Sequence, residues 1–387
     1  MKHSAVNVVG LAVGGLSTFL VYPHALEAYG LAQVLLSLGI MGVPILSLGA
    51  NTVAIRFFPR FQDKATGHNG FLPLLMMLCA LGCAACLLIA WVFWEPISAL
   101  LEQKSPLLGE YLWMGFPLAF CYITSSVLAM YSANFKRIVV PSILLDFSQK
   151  LALPILLIAV WQSWISLETA MMGLLVHAAA VTVGLVLYLR HIGEWYWRPN
   201  WAFVTPKLRK EMLQFIVFGA FGGFALLIAA KSDIIMVGSL SAVKAAGVYA
   251  IAAYLATIIE IPTKSLYSAS ASSVASYLAN DNRMELEKLY KSVSINLLVA
   301  GLLLFGGIWI SIDSLFALLP NGEELAAGKW VLLFIGLSRI VEMGTGLNNY
   351  MVYYSQYYRY SLLSLGIMAL SNILLSIWLI PILGITG

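Results

Sequence analysis

The sequence is short of charge. Only 10% of its 387 residues are Asp, Glu, Lys or Arg, whereas 61% are hydrophobic, and the mean hydropathy is +0.89. A soluble protein carries roughly 25% charged residues, because its surface faces water. This composition excludes a soluble enzyme, a nucleic-acid-binding protein and a disordered chain. We therefore expect an integral membrane protein that has no nucleic-acid partner.

The sequence also lacks the motifs of several kinds of chemistry. Cys79, Cys83, Cys86 and Cys121 lie in apolar segments without a nearby His or carboxylate, so their spacing indicates packing rather than a metal site. The five histidines are scattered, and no GxxxxGK[ST] phosphate-binding loop is present. These absences argue against a metalloenzyme and against an ATP-driven pump, and we expect no catalytic residue, metal or cofactor.

Long apolar segments are the main feature that is present. A helix needs about 20 residues to cross a hydrocarbon core about 30 Å thick, and the alternating pattern of an outer-membrane barrel is lacking. The sequence predicts an all-α polytopic membrane protein with about eleven transmembrane helices. The expected spans are 4–22, 28–52, 70–94, 107–132, 139–162, 168–189, 212–238, 245–277, 293–318, 328–350 and 361–381.

Basic residues are unevenly distributed between the loops on the two sides of the predicted membrane. Fifteen of the 22 fall on one side, four lie inside spans, and only Lys104, Lys244 and Lys329 fall on the other side. Loops rich in Lys and Arg stay in the cytoplasm. We therefore expect a cytoplasmic N-terminus and cytoplasmic loops at 53–69 and 190–211.

Two segments of the first half of the sequence each resemble a segment of the second half, and the distance between the matching residues is 217 or 218 positions. The first alignment pairs Gly30 with Gly247, and each copy carries a proline near its end, Pro44 and Pro262. Two matches at offsets of 217 and 218 indicate a parallel internal repeat, which is common in transporters. The aligned segments are EAYGLAQVLLSLGIMGVP (27–44) with KAAGVYAIAAYLATIIEIP (244–262), and LLDFSQKLALPILLIAVW (144–161) with LLSLGIMALSNILLSIWL (362–379).

The repeat predicts two bundles around a central cavity. We expect an N-terminal six-helix bundle over 1–190, a basic cytoplasmic linker over 191–211 and a C-terminal bundle over 212–387. In transporters built from repeats, the substrate site lies between the repeats. The twelfth helix would begin near Gly387, so the second bundle is expected to lack its last helix.

Charged residues inside the expected spans require either partners or a polar cavity, because a charge in hydrocarbon is costly. Six of them are spaced three or four residues apart, which places each pair on one helix face. Local ion pairs are the simplest interpretation. The pairs are Asp146–Lys150, Glu260–Lys264 and Arg339–Glu342.

Lys231 and Asp233 differ, because residues two apart on a helix do not face each other. They need partners on other helices, or water. Lys264 lies in the polar run TKSLYSASASS (263–273), which suits the wall of a wet cavity. Arg56, at the cytoplasmic end of the second span, either extends to the interface or receives an anionic lipid head group. The candidate substrate-binding residues are Lys231, Lys264, Arg56 and Arg339, and the candidate coupling or cavity residues are Asp233, Glu260, Asp146 and Lys150.

Three segments carry a resemblance to a known family: AYGLAQVLLSLGIMGVPILSLGANTVAIRFFP (28–59), KSDIIMVGSLSAVKAAGVYAIAAYLATIIEIP (231–262) and LIPILGITG (379–387). The chain resembles the bacterial polysaccharide biosynthesis proteins, the O-antigen-type oligosaccharide flippases of the multidrug/oligosaccharidyl-lipid/polysaccharide (MOP) exporter superfamily. The resemblance implies two helical bundles in a V around a cationic cavity. The lipid II flippases of the superfamily carry an arginine in the first helix, but the first span here is uncharged, which favours oligosaccharide repeat units.

The implied function is the transfer of an undecaprenyl-diphosphate-linked oligosaccharide across the bacterial inner membrane by alternating access. Membrane lipids and a coupling cation or proton are the other expected partners. A cation-coupled multidrug exporter of the same superfamily is an alternative. A membrane enzyme of glycan polymerisation is a second alternative, but such enzymes need large extramembrane loops or clustered carboxylates, and the longest loop here is about 20 residues. We therefore do not expect an enzyme.

Overall fold

The structure is a computed structural model that describes residues 2–280, 282–348, 351–352 and 358–386. It describes their side chains except at 2–8, 45, 102, 217–222, 229, 264, 265, 268, 269, 272, 275, 279 and 358–362. Every regular element in these ranges is helical. The helices are α1 (Lys2–Leu20), α2 (Leu26–Met41), α3 (Val43–Leu46), α4 (Ala50–Arg56), α5 (Phe58–Phe61), α6 (Phe71–Lys104), α7 (Pro106–Tyr111), α8 (Gly115–Ala133), α9 (Val139–Ser142), α10 (Ser148–Trp161), α11 (Leu167–His191), α12 (Pro206–Leu240), α13 (Val243–Ile259), α14 (Ile261–Ala279), α15 (Arg283–Leu318), α16 (Gly322–Ala326), α17 (Gly328–Gly344) and α18 (Tyr358–Leu383).

The all-α polytopic fold predicted from composition is confirmed. Within the described residues, seven helical stretches are long and apolar enough to cross a membrane, and they coincide with the second, third, fourth, fifth, sixth, ninth and eleventh expected spans. Large apolar side chains such as Trp91 and Ile310 are exposed on these helices. Such exposure suits contact with lipid, whereas an exposed apolar surface of this extent is unusual for a soluble monomer.

Two expected spans are broken, which corrects the prediction of single helices over 28–52 and 245–277. In the first, α2 ends at Met41, α3 follows at Val43, and Leu48 and Gly49 then adopt positive φ angles of 44° and 67°. In the second, α13 ends at Ile259 and α14 begins at Ile261. Pro44 and Pro262 occupy the second positions of the new helices, where the missing N–H of proline is tolerated.

Helix α6 is longer than expected. Its 34 residues pass through Pro96 to Lys104, so the short loop expected at 95–106 is mostly helical. At 1.5 Å per residue the helix is about 51 Å long, which exceeds a hydrocarbon core about 30 Å thick. The prediction ended at 94 because the apolar composition becomes weaker there, whereas the helix continues beyond it.

The repeat-related helices α2 and α13 pack against each other at the two glycines that the sequence alignment pairs. A Cβ on Gly30 would lie 1.7 Å from the carbonyl oxygen of Val243, and a Cβ on Gly247 would lie 2.4 Å from the carbonyl oxygen of Leu26. The contact is reciprocal at an offset of 217 residues, since Leu26 aligns with Val243 as Gly30 aligns with Gly247. Only glycine permits this approach of backbone to backbone.

Replacing Gly30 by alanine is expected to destabilise the protein strongly. The added methyl group overlaps a carbonyl of a neighbouring helix, and overpacking of this kind costs about 1–3 kcal/mol or more. Gly306→Ala is the matched control, because Gly306 is also helical and a Cβ there meets nothing within 4 Å. Melting of the purified protein in detergent should show a clearly lower midpoint for Gly30→Ala than for Gly306→Ala. Equal midpoints would contradict the close contact, because α2 and α13 would then accommodate the methyl group without loss of stability.

Candidate functional site

A carboxylate on α12 is held by residues from two other helices. Tyr249 on α13 donates its hydroxyl proton to Asp233 Oδ2 at 2.9 Å, and Asn372 on α18 donates through Nδ2 to Asp233 Oδ1 at 2.8 Å. An ionised carboxylate only accepts hydrogen bonds, which orients the Asn372 amide with Nδ2 toward Asp233. Ser232 Oγ lies 2.6 Å both from Asn372 Oδ1 and from the carbonyl oxygen of Ile228. The expectation that Asp233 finds its partners on other helices is confirmed.

Lys231 lies on the same helix but does not belong to this network, since residues two apart on a helix do not face each other. It is partly buried and makes neither a hydrogen bond nor an ion pair with any residue in the described part of the chain. Two other basic residues that were expected within spans have described side chains. Lys150 lies close to Gly10 of α1, and Arg339 lies beside two carboxylates. Lys231 therefore remains available to an anion.

Arg339 on α17 lies between two carboxylates. Its Nη1 donates to Glu342 Oε2 at 2.9 Å, and its Nε lies 3.6 Å from Glu260 Oε2. The expected Arg339–Glu342 pair is confirmed. Glu260 occupies the break between α13 and α14, so Arg339 joins α17 to that break. A guanidinium with two carboxylate neighbours is compensated, and it is less suited to bind an anionic substrate than Lys231.

Lys264 was expected to pair with Glu260 and to line a cavity. The backbone of Lys264 belongs to α14, but its side chain lies outside the described residues. The lysine therefore stays a candidate on the strength of its sequence context alone.

The ion pair expected between Asp146 and Lys150 does not form in the described structure. Residues Ile143–Phe147 adopt a π-helical turn, whose i→i+5 hydrogen bonds insert one extra residue into the helix. The i,i+4 spacing rule of an α-helix therefore does not apply across this turn. Lys150 instead extends toward α1, where a Cβ built on Gly10 would lie 3.2 Å from the ammonium nitrogen.

Two arginines, one on α4 and one on α5, contact residues of α12. The Arg56 guanidinium lies 4.6 Å from the ring centre of Phe215 on α12. Arg60 donates to Glu211 at 2.5 Å, and this hydrogen bond lowers the pKa of the exposed Glu211 carboxyl. Both arginines therefore connect the α4–α5 segment to α12 instead of being free at the interface.

Sequence reasoning missed two members of the Asp233 network, Tyr249 and Asn372. The sequence could have indicated Asn372, because it is an amide inside the otherwise apolar α18. Polar residues in such helices commonly have a functional or structural partner. Nothing in the sequence distinguished Tyr249, since tyrosine is common in membrane proteins. In the part of the chain that the structure describes, no three His, Cys, Asp or Glu side chains are grouped as metal ligands.

Comparison with solved structures relates the fold to known transporters. The chain is similar to the inward-facing structure of a multidrug resistance MATE family transporter of the MOP superfamily, with a TM-score of 0.56 and 14% sequence identity, covering 97% of this chain and 95% of that chain. At this identity the likeness establishes the fold. A MATE structure in complex with Br-NRF is also similar, with a TM-score of 0.40, 14% identity and coverage of 99% and 94%. No family model and no curated protein matches the chain.

Removing the amide of Asn372 is expected to destabilise the protein. Asn372→Leu leaves one oxygen of Asp233 and the Ser232 hydroxyl with one partner fewer, and an unsatisfied buried polar group costs about 1–3 kcal/mol. Ser371→Leu is the matched control on the exposed face of the same turn, where the change should be within about 0.5 kcal/mol. Thermal melting in detergent compares the two, and an unaltered midpoint for Asn372→Leu would show that the amide does not stabilise Asp233.

Proposed function

We propose that the chain is a transporter of the MOP superfamily that moves an undecaprenyl-diphosphate-linked oligosaccharide from the inner to the outer leaflet. The observation that carries this proposal is the ammonium of Lys231 in α12, which has no partner among the described residues and lies two positions from Asp233. A diphosphate brings about two negative charges into a low-dielectric site, which requires charge-assisted contacts. Lys231 provides such a contact, and Lys264 is expected to provide a second.

The packing of α2 on α13 supports transport by alternating access of two bundles, 1–190 and 212–387. The reciprocal Gly30–Gly247 contact relates the two helices by a local twofold arrangement, as in an isologous interface. Repeated halves of this kind rock against each other around a site between them in many transporters. The structural neighbour is also a transporter and not an enzyme, so we propose transport and not glycan polymerisation.

A cation-coupled multidrug exporter is the second candidate function. Glu260 and Glu342 place two carboxylates beside the single guanidinium of Arg339, and Asp233 on α12 carries a third. An excess of carboxylates attracts a cation or a cationic drug rather than a diphosphate. The structural neighbour is named as a multidrug resistance transporter. The two functions differ in the sign of the cargo, which makes them experimentally separable.

Loss of the Lys231 charge should abolish lipid-linked oligosaccharide transport. In a strain lacking its own copy, Lys231→Ala should reduce surface polysaccharide at least about tenfold, as expected for a lost charged contact of 1.5–3 kcal/mol, and Lys231→Arg should restore part of it. Lys288→Ala is the matched control, because Lys288 is exposed on α15. Membrane abundance is measured for each variant by immunoblotting.

The same variants distinguish the alternatives. Under the multidrug function, Lys231→Ala leaves surface polysaccharide unchanged, whereas Asp233→Asn lowers the resistance of cells to cationic drugs. Normal polysaccharide in Lys231→Ala cells with normal protein abundance contradicts the oligosaccharide proposal. Loss of polysaccharide in the Lys288→Ala cells as well would show that the effect is not specific to the site.

We further propose that the chain lies in the bacterial plasma membrane with a cytoplasmic N-terminus. The two ends of α6 test this orientation, since Lys64 precedes the helix, Lys104 ends it, and both side chains are exposed. In a background without the four native cysteines, Lys104→Cys should react with an impermeant thiol reagent in intact cells, and Lys64→Cys should react only after lysis. The opposite labelling pattern would contradict the proposed orientation and place the N-terminus outside the cytoplasm.

A further inference from the structure

A second polar cluster lies in the N-terminal half, between α8, α10 and α11, and none of its members was a predicted site residue. His177 Nε2 lies 2.9 Å from Ser148 Oγ, and Tyr122 donates its hydroxyl proton to Gln149 Oε1 at 3.2 Å. Ser125 Oγ lies 2.8 Å from Thr182 Oγ1. Hydroxyl, amide and imidazole groups therefore meet inside a bundle that is otherwise apolar.

The contacts of Ser148 define which nitrogen of His177 carries the proton. Ser148 Oγ lies 2.5 Å from the carbonyl oxygen of Leu144, a separation at which two oxygens attract only if a hydrogen lies between them. A serine hydroxyl has one hydrogen, so Ser148 donates to Leu144 and accepts from His177. The neutral imidazole is therefore protonated at Nε2, and Nδ1 presents a lone pair.

A small cavity adjoins this imidazole. Its volume is about 10 Å³, which is close to the space that one buried water needs. It is lined by His177, Tyr122, Ser125 and Gln149 together with apolar side chains. A buried water requires two to four polar partners, and these four residues provide them. Within the described residues, His177 has no hydrogen-bond partner besides Ser148, so Nδ1 has no partner there, and the ring lines the cavity.

Ionisable groups approach this site from the neighbouring helices. Cys121 and Tyr122 of α8 line the cavity. Asp146 and Lys150 belong to the π-helical turn and to α10, but they are not among the lining residues. Neither Asp146 nor Lys150 bonds to His177 in the described structure. Ser148 directly follows the π-helical turn Ile143–Phe147, and turns of this type frequently mark functional positions in helices.

We propose that Nδ1 of His177 is a proton-binding site served by a single water in this cavity. A proton from bulk water passes through the cavity water to Nδ1 and forms the imidazolium, and the Nε2–H···Ser148 hydrogen bond is kept. The N-terminal half then has a protonatable group of its own, distinct from the carboxylates around Arg339. This site goes beyond the proposed cargo and does not depend on its identity.

Nitrogen NMR of the full-length protein, labelled with ¹⁵N-histidine in detergent, tests the site directly. The His177 signals are identified by their loss in His177→Gln, with His24→Gln as the control, since His24 stacks on Trp161 outside the cavity. At high pH we expect a protonated Nε2 and an unprotonated Nδ1. On acidification from about pH 8, the Nδ1 signal should move to the imidazolium position.

Ser148→Ala provides the second measurement. Without the acceptor for Nε2–H, His177 should lose its single tautomer and show both nitrogens partly protonated at high pH. A proton on Nδ1 in the wild type at high pH, or an Nδ1 signal that stays at its neutral position on acidification while the protein remains folded, overturns the proposal. If His177→Gln does not accumulate, the signal that changes in Ser148→Ala identifies His177 in the wild-type spectrum. Neither readout requires transport, so the proposal fails or stands separately from the proposed function.

Discussion

The structure depends on one constraint: a charged or polar group inside apolar helices must find a partner or water. In a hydrocarbon environment an unpaired charge is costly, so the few charged residues of this chain are located where another helix supplies the missing contact. Asp233 receives hydrogen bonds from α13 and α18, and Arg339 faces carboxylates on its own helix and at the break before α14. These contacts connect four helices of the C-terminal half. Lys231 differs because it has no partner among the described residues.

The breaks in the helices follow from the same constraint and from the repeat. A helix that ends inside a bundle exposes backbone groups, and proline in the first turn of the next helix removes one unpaired donor. The two proline-marked breaks, at Gly42 and Glu260, lie at nearly equivalent positions of the aligned segments 27–44 and 244–262. Glu260 adds a carboxylate at its break, and Arg339 approaches it there. The N-terminal copy has glycine at the corresponding place, so the two halves share a geometry but differ in charge.

Composition and span length predicted the helical membrane fold, because apolar segments of about 20 residues have few other uses. The offset of the repeat also paired Gly30 with Gly247, which are in contact. Contacts between helices were harder to predict. Asp233 was recognised as needing outside partners, but the sequence did not identify Tyr249 and Asn372, since side chains that meet across helices follow no fixed spacing. The Asp146–Lys150 pair was wrong because the spacing rule assumes an α-helix, and one π-helical turn changes the face on which each residue lies.

The two halves touch through contacts of different strength. At α2 and α13 the backbones approach so closely that no side chain intervenes, whereas α1 reaches α13 through the Tyr254 hydroxyl, which donates to the carbonyl oxygen of Leu11 at 3.0 Å. Near the predicted cytoplasmic side, Arg56 stacks on Phe215, an exposed contact of roughly 0.5–1 kcal/mol. Between these contacts lies a shared apolar core, in which Val34 of α2 is buried in one cluster with Val237 of α12 and Ala246 of α13. The glycine pair is therefore a close-packed part of a broad interface, and it fixes the separation of α2 and α13.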